Sequence, residues 1–393
     1  MLAVRTFANR RWRGLDAFRG LAVIGMLLVN NPGNHDAVYA QLRHSLWRGC
    51  TIADLVFPFF LFVVGITTTI SLAASARRGD DRRQTARIWR RTAVIFGVGI
   101  LLNWFPFYQS GTIASVAHPN FLDRVVARLL TLRIPGVMQR IAVCYLIAAL
   151  IARRSSSRAI VVVTAVLLIG YSFLLPASTF DVPSLTVDAR VDRALFDWTR
   201  WGFGNHLWED ARTWDPEGAL STIGALATVL LGALCGRWML ANAQSWRTRE
   251  MTLAGLGCII AGAAWSYALP FNKSLWTSSY VLFTAGIAMI VLGALVLMLD
   301  GDRATSWARP LIIFGENPLV AYAGSELGRH ILHSSIKFPA PGGRLGTDEW
   351  VARHLETIGL SPDAASLAWA LIYVAIWLFV LSRLSRRQLF VRA

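Results

Sequence analysis

Lysine is almost missing from this 393-residue chain: Lys273 and Lys337 stand against 37 arginines. Acidic residues are few as well, 23 against 39 basic ones, and charged residues of both signs make up only 16% of the sequence. A net charge of +16 would suit a polyanion, but the arginines sit in short stretches between apolar blocks and not on one basic face, which argues against nucleic-acid binding. The four cysteines, Cys50, Cys144, Cys235 and Cys258, have no CxxC spacing and lie in or beside apolar segments. Neither a zinc cage nor a disulfide framework is expected, and the cysteines read as small buried hydrophobes. Internal repeats, low-complexity tracts and linkers long enough to separate soluble domains are all lacking.

What the chain has is apolar length. Residues of hydrophobic type make up 55%, and mean hydropathy is +0.47. They cluster roughly over 15–30, 50–75, 92–108, 134–152, 159–176, 218–240, 251–270, 277–299, 308–334 and 365–383, each near the length needed to cross a bilayer. The expected fold is all-α: a polytopic integral membrane helical bundle of about ten transmembrane helices, forming one domain over 1–393, in contact with membrane lipids and compatible with a homo-oligomer. With the N-terminus inside, the inner loops and tails hold 23 Lys/Arg and the outer loops 13, so the positive-inside rule puts both termini in the cytoplasm. The outer loops then cover about 31–49, 177–217 and 335–364. The run from Arg77 to Arg91 reads as a cytoplasmic anchor beside anionic lipid heads. Arg5, Arg10, Arg11 and Arg13 resemble the start of a signal peptide, but Asp16 and Arg19 interrupt the apolar stretch and no cleavage site follows, so the first span is expected to stay in the mature chain.

Ionisable residues near the membrane are costly, and they point to sites of chemistry. Asp16 and Arg19, at i and i+3, share a face of the first span and can pair. NNPG should end that helix and leave Asn30 and Asn31 at the outer mouth. His44 lies just before the second span, with Asp54 ten residues on. A histidine beside an embedded carboxylate can serve as a base or nucleophile, and it can equally be a hydrogen-bonded interface residue. Gln139 and Arg140 open the fourth span, where Arg140 could snorkel or hold a carboxylate or phosphate. TWDPEGALST reads as a helix start, with Asp215 at the N-cap and Glu217 near the positive dipole end. NKSLWTSSY places Lys273, Trp276 and Ser278 at the start of the eighth span, able to receive an anion or to anchor at the interface. FGENP should break the ninth span at Pro318. Glu326, His330 and His333 share a face further on, but no fourth ligand accompanies them, so no metal is expected.

LDAFRGLAVIGMLLVNNPG, LRHSLWRGCTIADLVFPFFLFVVG, GVMQRIAVCY, TWDPEGALSTIGALATVLLG, NKSLWTSSYVLFTAG and FGENPLVAYAGSE occur in order and resemble the heparan-α-glucosaminide N-acetyltransferase family over nearly the whole chain, with His44 to Gly65 the most specific block. The resemblance implies a multispan N-acetyltransferase that carries acetyl from cytosolic acetyl-CoA to the amine of a glucosamine-type sugar on the far side, here of a bacterial inner membrane. It assigns the active histidine to His44, the membrane aspartate to Asp54 and the mouth asparagine to Asn30. Arg19, Arg140, Lys273 and Ser278 are then candidates for acetyl-CoA, and Asp215, Glu217 and Trp276 for the amino-sugar acceptor. The family's lysosomal member carries an extra luminal region and leading span ahead of RGLDAFRG, and a glycine run where this chain has NNPGN, so the acceptor stays open. Two other readings fit a polar cavity between helices: a secondary transporter of an amino sugar or related solute, and a membrane protein whose polar residues only pack helices.

Overall fold

The structure, a computed structural model, describes residues 12–79, 81–109, 113, 118–175, 177–242, 248–300, 306–340 and 343–387. Arg5, Arg10 and Arg11, expected to flank the first span, lie outside them. Fourteen helices are described: α1 Arg13–Asn30, α2 Ile52–Ala76, α3 Asp81–Trp104, α4 Phe121–Leu130, α5 Val137–Arg154, α6 Ser157–Leu174, α7 Val187–Phe196, α8 Thr222–Ala241, α9 Thr248–Trp265, α10 Ser278–Leu299, α11 Arg309–Glu316, α12 Pro318–His330, α13 Thr347–Thr357 and α14 Pro362–Arg386.

The chain is nearly all helical, and its described residues include five helices long and apolar enough to cross a membrane: α2, α6, α8, α10 and α14. The remaining apolar blocks are helical too but fall short of that criterion for visible reasons. Charges interrupt α1 at Arg13, Asp16 and Arg19, α3 at Arg87, Arg90 and Arg91, and α5 at Arg140, Arg153 and Arg154. The ninth block is divided, as FGENP foretold, because α11 ends at Glu316 and α12 restarts at Pro318, whose missing amide suits a first turn. The chain is an integral membrane protein.

Two compact units can be distinguished. The first comprises Met1–Val63, Ala241–Ile259 and Thr284–Ala393. In it α1 packs on α11 so closely that a Cβ on Gly20 would strike the Leu311 carbonyl, and one on Gly315 the Asp16 carbonyl. Small residues here let two backbones touch, the usual device for joining membrane helices. After α1 stops at Asn30, the loop is tied to the start of α14: the Gly33 amide donates to the Ser366 carbonyl and the Asn34 amide to the Ser366 hydroxyl.

The second unit comprises Val64–Leu240 and Ile260–Phe283. Here α3 packs on α5, with Gly99 against Met138 and Gln139, and the polar hinge at 153–158 makes a tight α5–α6 turn whose Ala152 and Ser155 carbonyls accept from Arg237. Two connecting segments, one in each unit, are more ordered than their composition suggests. Asn120 and Asp123 form a reciprocal capping box that starts α4. The segment 335–364, read from the sequence only as a loop, contains an antiparallel pair, β1 Lys337–Ala340 with β2 Gly343–Gly346, followed directly by α13. The cysteines form no disulfide, and Cys144 and Cys235 are buried as expected.

Candidate active site

In the first unit the loop after α1 folds back on the start of α2. The Gln41 carbonyl accepts from the Ala53 amide, and Arg43 reaches the Asp36 carbonyl, so the residues around His44 are held at both ends. Gly49, at φ +115°, lets the chain reverse just before the helix. Asp54, the third helical residue, is fully buried, while the His44 side chain is 40% exposed. Its Oδ1 lies 2.9 Å from His44 Nδ1. Its Oδ2 accepts from the Ser45 and Thr51 amides, both at 3.1 Å, with the Thr51 hydroxyl also at 3.1 Å.

This arrangement sets the imidazole. A buried carboxylate at a helix N-terminus, already fixed by two backbone amides, is an acceptor only. His44 Nδ1 must therefore carry the hydrogen, which puts the ring's lone pair on Nε2, the tautomer suited to accept a proton or an acyl group. Ser45 and Thr51 were not among the expected site residues, although Thr51-x-x-Asp54 has the spacing of a helix-start capping pair and could have revealed the second. Asn30 ends α1 half-buried, with Asn31 bonded to the Leu27 carbonyl behind it. Arg19 pairs with Asp16 at 2.8 Å, as their spacing implied.

The other expected residues lie in the second unit, in a buried polar network. Arg133 grips Asp215 with two nitrogens, Nε at 2.8 Å and Nη2 at 2.5 Å, and also pairs with Glu217. Asp215 is thus not the N-cap of α8, which begins seven residues later at Thr222: its oxygens are taken by Arg133 and by the Glu217 amide. Asp192 in turn accepts from the Asp215 and Ala219 amides, and the Tyr171 hydroxyl lies 3.2 Å from Asp188 and 2.5 Å from the Leu275 carbonyl.

Burial dominates the electrostatics of these acids. It pushes the Asp188 carboxyl up to about 7, reinforced by Asp192, and Asp192 itself up to about 6. Burial raises Asp215 against the pull of Arg133. It acts on Glu217 too, but there Arg133, Arg140 and Lys273 together outweigh it and hold the carboxyl down. Burial alone would lower Arg133, yet its two carboxylates keep it above its ordinary value.

Arg140 is 2% exposed; its Nη2 donates to the Ser221 hydroxyl at 2.5 Å, and its guanidinium lies 5.2 Å from the Trp276 ring. Trp276 is itself buried and donates to Thr228, while the Ser278 hydroxyl donates to the Leu168 carbonyl. Six buried donors in this unit have no acceptor among the described residues: Nε and Nη1 of Arg140, the Gln139 and Asn272 amide nitrogens, Nε of Arg91 and the Trp104 indole nitrogen. Arg133 was the residue that sequence reasoning missed here, because its partners lie 82 and 84 positions away. Among the described residues no three His, Cys, Asp or Glu side chains are grouped to hold a metal.

Residues 11–194 match the family model described as heparan-alpha-glucosaminide N-acetyltransferase, catalytic, a range that includes Arg19, Asn30, His44, Asp54 and Arg140. The human protein named heparan-alpha-glucosaminide N-acetyltransferase is 28% identical, with 81% of this chain and 53% of that protein covered; its mouse counterpart is 27% identical, with 82% and 54% covered. The chain spans about half the length of the curated relatives it matches. These likenesses bear out the resemblance read from the sequence.

Proposed function

We propose, taking the match to that family's catalytic region as the premise, that the chain is an acetyl-CoA-dependent N-acetyltransferase acting on the amine of a glucosamine-type sugar. In this reading all ten apolar blocks cross a bacterial inner membrane, both termini are cytoplasmic, acetyl-CoA enters from the cytosol and the acceptor is met on the far side. The supporting observation is the dyad of an exposed imidazole on a fully buried carboxylate, His44 on Asp54.

The net reaction joins the acetyl carbon of the thioester to the amine nitrogen, breaks the carbon–sulfur bond, and releases CoA thiol and, from an ammonium acceptor, one proton. His44 Nε2 either takes that proton or carries the acetyl group between two half-reactions. Asp54 holds the ring in the reactive tautomer and stabilises the imidazolium that forms, as the carboxylate of a catalytic triad does. Asn30 would donate a hydrogen bond to the oxyanion of the tetrahedral intermediate. Arg140, Lys273 and Ser278 in the second unit and Arg19 in the first are each candidates to meet acetyl-CoA. The unpartnered donors of Arg140, Gln139 and Asn272 suit an anionic, oxygen-rich group, since a buried N–H without an acceptor costs about 1–3 kcal/mol. Asp215 and Glu217 are committed to Arg133, and Trp276 backs Arg140, so these three would shape the site instead of gripping the sugar.

The test is release of CoA thiol from acetyl-CoA by the purified full chain, with and without glucosamine. Release that depends on glucosamine and is lost in His44→Ala is expected. Solute flux through the chain with no acetyl-CoA consumption would replace this reading with the transporter.

A further inference from the structure

A second imidazole–carboxylate pair stands in the first unit, built on the same plan and used by nothing described so far. His333 lies on a π-turn over Ile331–Ser335 that continues α12, a backbone form frequent at functional sites. Its Nδ1 is 2.8 Å from Asp348 Oδ2. Asp348, the second residue of α13, is nearly buried, whereas the His333 side chain is 34% exposed. As at His44, a carboxylate at a helix start takes the Nδ1 hydrogen and puts the lone pair on Nε2. The turn is shaped to fit: a Cβ on Gly346 would lie within 3 Å of Asp348 Oδ1 and of the His333 backbone. Phe338 stacks on Trp350, and Trp350 on His354, which fixes β1 against α13.

Two further observations bear on what would use this pair. His35, on the loop that leads to His44, lies within electrostatic reach of Arg329, His333, Asp348 and Glu349. Burial first, and then Arg329 and His333, hold its pKa down, so it adds little positive charge to the cluster. Around this cluster stand Asp348 and Glu349 on α13, Arg329 on α12 paired with Glu326, and Lys337 and Arg344 on the paired strands of the hairpin that follows His333.

We infer that His333, oriented by Asp348, is the base that takes the proton from the acceptor's ammonium group before its amine attacks the acetyl carbon. The inference rests on the transferase reading and supplies a step that reading needs. Only a neutral amine has the lone pair to attack. If His44 Nε2 is engaged with the acetyl group, the proton needs another acceptor. The step is balanced: the ammonium N–H bond breaks, its electron pair stays on nitrogen as the attacking pair, and the proton passes to His333 Nε2, from which it leaves to water.

The experiment compares two acceptors in acetyl transfer by the full chain: glucosamine, largely protonated below its amine pKa, and an amine of low basicity that is already neutral at the same pH. Wild type, His333→Asn and Asp348→Asn are assayed, with the thermal shift on adding CoA as a check of the fold. Both variants should lose about 10²-fold in kcat/KM for glucosamine near neutral pH, as expected for removal of a general base. They should lose less than about threefold with the neutral amine, and their response to CoA should match wild type. Equal losses with both acceptors would assign the pair a structural role, and undiminished glucosamine transfer would remove it from the reaction. Absence of transfer by wild type itself would overturn the parent reading, and this inference with it.

Discussion

Replacing Asp54 by Asn keeps the volume and removes the charge, and the structure gives the consequence. One side-chain oxygen must still serve the Ser45 and Thr51 amides and the Thr51 hydroxyl, all at 3.1 Å, so the Asn carbonyl is drawn to that side. The NH2 group then faces His44 Nδ1, where Oδ1 had been at 2.9 Å. Two donors cannot face each other, so the ring takes its hydrogen on Nε2 and loses the lone pair there. The same exchange in a catalytic triad costs about 10⁴-fold, and a loss of at least about 10³-fold in kcat is expected here. Hydrogen bonds to a charged group are worth roughly twice neutral ones, so the fold should lose on the order of 2 kcal/mol. Acetyl transfer from labelled acetyl-CoA to glucosamine, with thermal unfolding of the same preparation, measures both. A variant within about threefold of wild type in kcat would refute the argument that Asp54 sets the tautomer.

Arg133→Gln leaves the buried Asp215 and Glu217 without their cation and should destabilise the chain by about 3–5 kcal/mol, read as a fall in Tm. An unchanged Tm would show that these acids find another partner. Asp188 and Asp192 have carboxyl pKa values raised to about 7 and about 6 from 3.8, so the folded chain holds their protons more tightly than the unfolded one. Their contribution to stability is therefore complete below the unfolded value and declines as pH rises toward about 7, the larger share, on the order of a few kcal/mol, coming from Asp188. Asp188→Asn should flatten the dependence of Tm on pH across that window, and parallel profiles for variant and wild type would contradict it. Arg140→Gln should weaken CoA binding about tenfold or more by calorimetry, because it removes a buried cation with two unpartnered donors; unaltered affinity would move the CoA phosphates elsewhere.

Much of the helical fold is legible in the sequence because membrane helices are local objects. Ten apolar blocks became helices, NNPG ended α1 at Asn30, and Pro318 divided the ninth block at Asn317. The pairs at Asp16–Arg19 and His44–Asp54 were also within reach, since one follows from helical spacing and the other from a short loop entering a helix. What escaped depends on distant partners. Nothing near Arg133 announces a carboxylate 82 residues on, and once that pair forms, the WDPE turn serves it instead of capping α8. The β1–β2 pair was hidden for a different reason: four-residue strands rich in Pro and Gly carry too few alternating positions to show a period of two. The helical spacing of His333 to Glu326 is visible in the sequence, whereas its carboxylate, Asp348, lies across the hairpin.

The central claim is that His44 joins a thioester arriving from one side of the membrane to an amine waiting on the other. Proteoliposomes of uniform orientation, with labelled acetyl-CoA on the cytoplasmic side only and glucosamine on the far side only, test it directly. The account predicts labelled N-acetylglucosamine accumulating on the far side with wild type and none above background with His44→Ala. Equal accumulation in the two, or none with wild type while acetyl-CoA stays intact, would contradict it.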